Sequence, residues 1–135
     1  MLGTQIGQGI GQITTTRVLP AGPDGPELEV SFEGSGRLLD ADITDMGTYV
    51  SVAHADGTVS GQGQGITMSA EGDVLTWTGS GVGRMLGRGQ AASYRGAIYY
   101  RSSSARFARL NGLACVFEYD VDEGGKTETK LFEWQ

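Results

Sequence analysis

Residues 57–89 read GTVSGQGQGITMSAEGDVLTWTGSGVGRMLGRG. Gly61, Gly63 and Gly65 stand two apart in one run, and Gly79, Gly81 and Gly83 do so in the next. Successive side chains of an extended strand point to opposite faces, so each triplet shares a face and leaves it as bare backbone. A helix would scatter these glycines around its girth and lose roughly 1 kcal/mol at each relative to alanine. The stretch therefore reads as two strands joined by a turn over Ala70, Glu71, Gly72 and Asp73. A bare face suits a sheet that coils sharply or is closely approached, and a barrel meets that description.

Working outward, the 135 residues predict one domain, residues 1–135, long enough to bury roughly two thirds of the surface of the unfolded chain. Glycine accounts for 23 residues, yet 39% of the chain is hydrophobic, which describes a folded and glycine-patterned protein. A net charge of -6 argues against nucleic acid as a partner, because neutralising phosphates needs a basic surface. The opening MLGTQIGQG has neither a basic start nor an apolar run, so no secretory signal or membrane span is expected and the cytoplasm is the default location. One cysteine and one histidine exclude an internal disulfide and a structural zinc site, and no cofactor is implied.

Residues 3–19 form a third glycine-striped strand, with Gly7, Gly9 and Gly11 on one parity. All three prolines fall in residues 20–26, which read as an exposed loop. Residues 27–39 alternate Leu28, Val30 and Phe32 with Glu27, Glu29, Ser31 and Glu33. In residues 43–55, Thr44, Met46, Thr48, Val50 and Val52 face one way, and Asp45, Gly47, Tyr49, Ser51 and Ala53 the other. Asp56-Gly57 is a strong hairpin signal. A sixth strand covers residues 90–101, and one helical turn or two falls within residues 102–112, with serine at its start and Asn111-Gly112 as a left-handed end. Residues 113–121 and 127–134 complete the set around a hairpin at 122–126. The expectation is an all-β, eight-stranded, antiparallel up-and-down β-barrel, a meander with one short helical turn before the seventh strand.

Six of the ten basic residues, Arg84, Arg88, Arg95, Arg101, Arg106 and Arg109, fall within residues 84–109, and no acid occurs between Val74 and Phe117. They form either an anion-gripping rim or a set of pairs with acids on neighbouring strands or at a subunit interface. Arg95, Ala97, Tyr99 and Arg101 share a face whose direction parity leaves open. Glu118, with Ala114 and Val116 on its side, is either a buried carboxyl or an ordinary surface one. Gln62 and Gln64, opposite the glycine stripe, and Tyr49 complete the candidate ligand-binding set of Arg84, Arg95, Tyr99, Glu118, Gln62, Gln64 and Tyr49. Glu118 and Tyr99 are the catalytic candidates. His54, beside a turn, has no partner to make it a base, and Cys115 reads as inert core. Trp77, on the parity of Gly79, Gly81 and Gly83, reads as core filling over neighbouring glycines. No phosphate loop, nucleophile elbow or carboxylate dyad is present, since the Gly-x-Gly runs lie within strands.

The meander built from GQGIGQ, EGSGRLL, GQGQGI and GSGVGR resembles the small cyclase-type barrels, the group of allene oxide cyclase and the spirotetronate cyclases, and more distantly the calycin-type lipocalins. The resemblance implies a barrel that encloses an apolar or amphipathic small molecule, often as a homo-oligomer, and carries over no catalytic residue. Three readings follow: a binding barrel for a small hydrophobic or amphipathic molecule with an anionic end held by arginine; a cyclase- or isomerase-type enzyme; and a solid structural barrel acting through its oligomer surface.

Overall fold

The computed structural model describes residues 2–134. Eight strands run in sequence order as β1 (Leu2–Gly22), β2 (Gly25–Leu38), β3 (Ala41–Ala53), β4 (Thr58–Ser69), β5 (Val74–Met85), β6 (Ala92–Ser102), β7 (Cys115–Val121) and β8 (Lys126–Trp134). Each pairs antiparallel with its neighbours, and β8 returns to β1, closing the barrel. Closure leaves none of the long strands with an unpaired edge. Among the described residues no helix is long and apolar enough to cross a membrane.

The proline-rich segment departs from the expected loop. The β1–β2 ladder continues to Gly22↔Gly25, and only Pro23 and Asp24 form the turn. Strand structure survives there because a register shift between Leu19 and Gly22 leaves Pro20 out of the ladder, and Pro26 also has no cross-strand partner. Boundaries elsewhere move by one to three residues. The β2–β3 hairpin turns tightly through Leu39 and Asp40, both at positive φ (47° and 64°). Arg37 braces that turn, its guanidinium donating to the Asp40 carbonyl at 2.6 Å and to Asp42 at 2.8 Å.

The helical element is a 3-10 helix, Ala105–Leu110, which buries Phe107 and Leu110 completely. Gly112 takes the left-handed conformation at φ 80°, whereas Asn111 stays extended. Asn111 instead clasps the end of β6: its side-chain oxygen accepts from the Ser102 N–H and its amide donates to the Ser102 carbonyl, both at 2.9 Å. The helix thereby plugs one end of the barrel, over a core of Leu38, Leu75, Ile98, Cys115 and Leu131. A second cluster, Val59, Tyr94, Tyr119 and Val121, gathers towards the other end.

Strand parity is resolved by this packing. The glycine face points inward: Gly61 and Gly63 of β4 and Gly79 and Gly81 of β5 border the interior together with Trp77, Tyr94 and Tyr119. Trp77 fills the core, as its parity predicts, and it does so in a slot made by glycine. A Cβ on Gly47 would lie 2.6 Å from the indole Cζ2, and one on Gly65 would overlap the ring more closely still.

Candidate functional site

A cavity of about 90 Å³ lies inside the barrel between the two core clusters. Its wall is aromatic because β2, β3, β5, β6 and β7 each turn large rings inward, while β4 and β5 supply glycines that leave space. Tyr49, Tyr94 and Tyr119 form one group of rings, with centroid separations of 5.7–6.0 Å. Phe32 sits 6.2 Å from Trp77 in a stacked arrangement and 5.6 Å from Tyr119. Tyr100 and Phe117 complete the aromatic lining.

The tyrosine hydroxyls are tied to one another and to β3. Tyr49 Oη is 3.3 Å from Tyr119 Oη, and Tyr94 Oη is 2.9 Å from Ser51 Oγ. Burial raises the pKa of Tyr49, Tyr94, Tyr100 and Tyr119, so all four remain neutral phenols near neutral pH. They offer hydrogen-bonding edges within an otherwise apolar wall.

Among the residues bordering this cavity, one carries an ionisable carboxyl: Asp45 of β3. Trp77 Nε1–H and Thr67 Oγ1–H both donate to its Oδ1, each at 3.0 Å. Burial raises the Asp45 pKa above its ordinary 3.8, and these hydrogen bonds only partly oppose that effect. The sign of the stability consequence follows. The folded state holds the proton more tightly than the unfolded chain, so stability falls as pH rises from about 3.8 through the folded-state pKa, and the loss persists at neutral pH. Asp45→Asn keeps an oxygen for Trp77 and Thr67 without a charge to desolvate. We expect its thermal midpoint at pH 7 to exceed that of the wild type, with the gap closing below pH 3.8 in a pH series of melting curves.

The expected site residues fall mostly elsewhere. Tyr49 places its ring in the cavity, and Gln62 borders it while lying on an exposed position of β4. Arg84, Gln64 and Arg95 are exposed, and Tyr99 is 53% exposed. Glu118 stands in register between Arg95 and Lys130, on the outward parity of β7 opposite Phe117 and Tyr119. The direction left open for Glu118 and for the Arg95–Tyr99 face is outward: Tyr94, Ile98 and Tyr100 point inward, which turns their alternates outward. Arginines of the cluster pair with acids, Arg95 with Asp120 at 3.0 Å, Arg106 with Glu71 at 3.2 Å and Arg109 with the buried Glu133 at 2.8 Å. Among the described residues no basic side chain borders the cavity, so an arginine-held anionic end has no place there. His54 Nε2 lies 3.1 Å from Ser60 Oγ near the β3–β4 turn, off the cavity. Cys115 is fully buried with its thiol pKa pushed up by burial, the setting of an inert thiol. No cluster of three or more metal-ligating side chains occurs among the described residues.

Sequence reasoning passed over Asp45. The available signal was its parity, shared with Gly47 and Tyr49, which puts an acid on the glycine face of the sheet.

Fold and cavity together define a closed eight-stranded antiparallel barrel with an aromatic cavity bordered by one acid, Asp45. Solved structures of the same shape include a conserved protein of unknown function from Rhodopseudomonas palustris, 8% identical, with a TM-score of 0.83 over 98% of this chain and 97% of that one. A β-barrel-like protein from Acinetobacter baumannii is 11% identical, with a TM-score of 0.82 over 100% and 96% of the two chains. An enzyme from Penicillium herquei is 16% identical, with a TM-score of 0.68 over 98% and 96%. At these identities the likeness shows the fold alone. No protein-family model matches the sequence, and no curated protein matches it either.

Proposed function

We propose that the barrel binds one small, compact molecule in its aromatic cavity, with the polar group of that molecule on Asp45. The observation that carries this reading is a space of about 90 Å³ walled by seven aromatic residues and bordered by one carboxyl. Ligand pockets commonly have this constitution, a mostly apolar lining with a few placed polar groups. Size narrows the class. The space of about 90 Å³ is below the roughly 150 Å³ of a cavity that takes benzene. A long-chain lipid does not fit, and a solid structural core is disfavoured by the same space.

The test is a titration of ¹⁵N-labelled protein with compact molecules such as tert-butanol, cyclopentanone and isopropanol, following the Trp77 indole N–H. Saturable shifts at Trp77 are expected, and they should vanish in Gly79→Val. The added side chain enters the cavity, and its Cβ meets nothing closer than the Ala97 carbonyl oxygen at 3.2 Å. Absence of a Trp77 response to any compact molecule overturns the reading.

A second reading, chemistry of cyclase or isomerase type, is favoured by the surroundings of Asp45. A carboxyl whose pKa is raised by burial beside a phenol-rich wall suits a general acid. In that reading Asp45 and Tyr49 take the roles first considered for Glu118 and Tyr99. The enzyme from Penicillium herquei shows that a barrel of this shape hosts catalysis in another protein.

A further inference from the structure

If the cavity is a binding site, its electrostatics specify the charge of the ligand. Asp45 takes its two side-chain hydrogen bonds from neutral donors, both onto Oδ1, and makes no ion pair among the described residues. A smaller interior space of about 40 Å³ also borders Asp45, and Arg37 borders that space. Arg37, however, is half exposed and committed to Asp42 and to the Asp40 carbonyl. A carboxylate drawn out of water without a cation is a costly arrangement, and buried charges are ordinarily paired. The space beside this one is enclosed by aromatic rings, whose negative faces attract cations.

We infer that the cavity receives a small alkylammonium cation, with its nitrogen against Asp45 and its alkyl groups among Tyr49, Tyr119, Trp77 and Phe32. Each feature of the site has a counterpart in such a ligand. The positive charge meets the unpaired carboxylate, the methyl or methylene groups meet ring faces, and the compact shape matches about 90 Å³. The inference rests on the cavity being a binding site and adds the sign of the ligand's charge.

Tert-butylammonium and tert-butanol have nearly the same shape and differ in charge, so the pair separates the two claims. Both are titrated at pH 7 against the full chain, with the Trp77 indole N–H shift as readout. We expect tert-butylammonium to bind at least about tenfold more tightly than tert-butanol, the scale of a desolvated cation–π and ion-pair preference. In Asp45→Asn that preference should disappear, with tert-butylammonium losing its advantage over tert-butanol. Equal or stronger binding of the alcohol by the wild type overturns the cation inference and leaves the binding cavity standing. Binding of neither overturns the cation inference, and the binding cavity falls with it if the other compact molecules also leave Trp77 unmoved. An undiminished ammonium preference in folded Asp45→Asn also overturns the inference, because it moves the charge recognition away from Asp45. The wild-type comparison decides the matter even if the variant fails to fold.

Discussion

Phe107→Ala is expected to lower the stability of the barrel by about 3–5 kcal/mol, the range for truncating a fully buried phenylalanine. In a chain of this size that loss corresponds to a fall of roughly 10–15 °C in thermal midpoint. The side chain is wholly inaccessible and belongs to the core cluster at the plugged end, with Leu38, Leu75, Leu110 and Cys115. Its carrier is a six-residue 3-10 helix, too short to hold itself without tertiary contacts. What anchors the helix is packing of Phe107 and Leu110 below it, with Asn111 clasping Ser102 and Arg109 reaching Glu133 at its edge. Removing the ring opens a void where the surrounding strands, each bonded on both sides, have little freedom to collapse. Urea unfolding followed by tryptophan fluorescence measures the effect, and a loss below about 1 kcal/mol would show that the helix does not act as the plug.

Gly65→Ala should cost about 3 kcal/mol, the upper end of the range for overpacking. The new Cβ would overlap the Trp77 ring and stand 2.6 Å from the Met46 carbonyl oxygen. Backbone cannot yield there, since Gly65 is paired to Gly47 on one side and to Trp77 on the other. Nor can the indole swing away freely. Its N–H is bonded to Asp45, its ring stacks with Phe32, and it also lies against Gly47, the cross-strand neighbour of Gly65. The substitution therefore strains the core and disturbs the hydrogen bond that orients Asp45. Equilibrium unfolding together with the Trp77 indole shift reports both effects. Unchanged stability would mean that the slot is looser than the packing shows.

These two positions illustrate different degrees of legibility. Gly65 announced itself, because a glycine triplet at spacing two inside a strand pattern has few structural uses other than close approach. Trp77 was readable as its partner by parity. Phe107 was placed on the short helical segment by its flanking serines and Asn111-Gly112, yet its role as a plug depends on where that segment docks. Asp45 was visible as a member of the glycine face and was overlooked because hydropathy gave no preference for that face. Apolar residues stand on both sides of the sheet: Met46, Ile66, Met68 and Val82 are exposed, whereas Trp77, Tyr94 and Ile98 are buried.

Alternation and turn chemistry, both local, determined the eight strands, their order and most of their hairpins, because a period of two and an Asp-Gly turn need no distant partner to be read. The direction of each face was decided only by closure. Joining β8 to β1 closed the sheet with the glycine faces of β4 and β5 inward, which turned the arginines and Glu118 to the outside and set Asp45 beside aromatic rings. A two-residue period defines two faces and is symmetric between them. That symmetry is broken by long-range packing, where the absent side chains of glycine leave the room that the rings of β2, β3, β5, β6 and β7 fill.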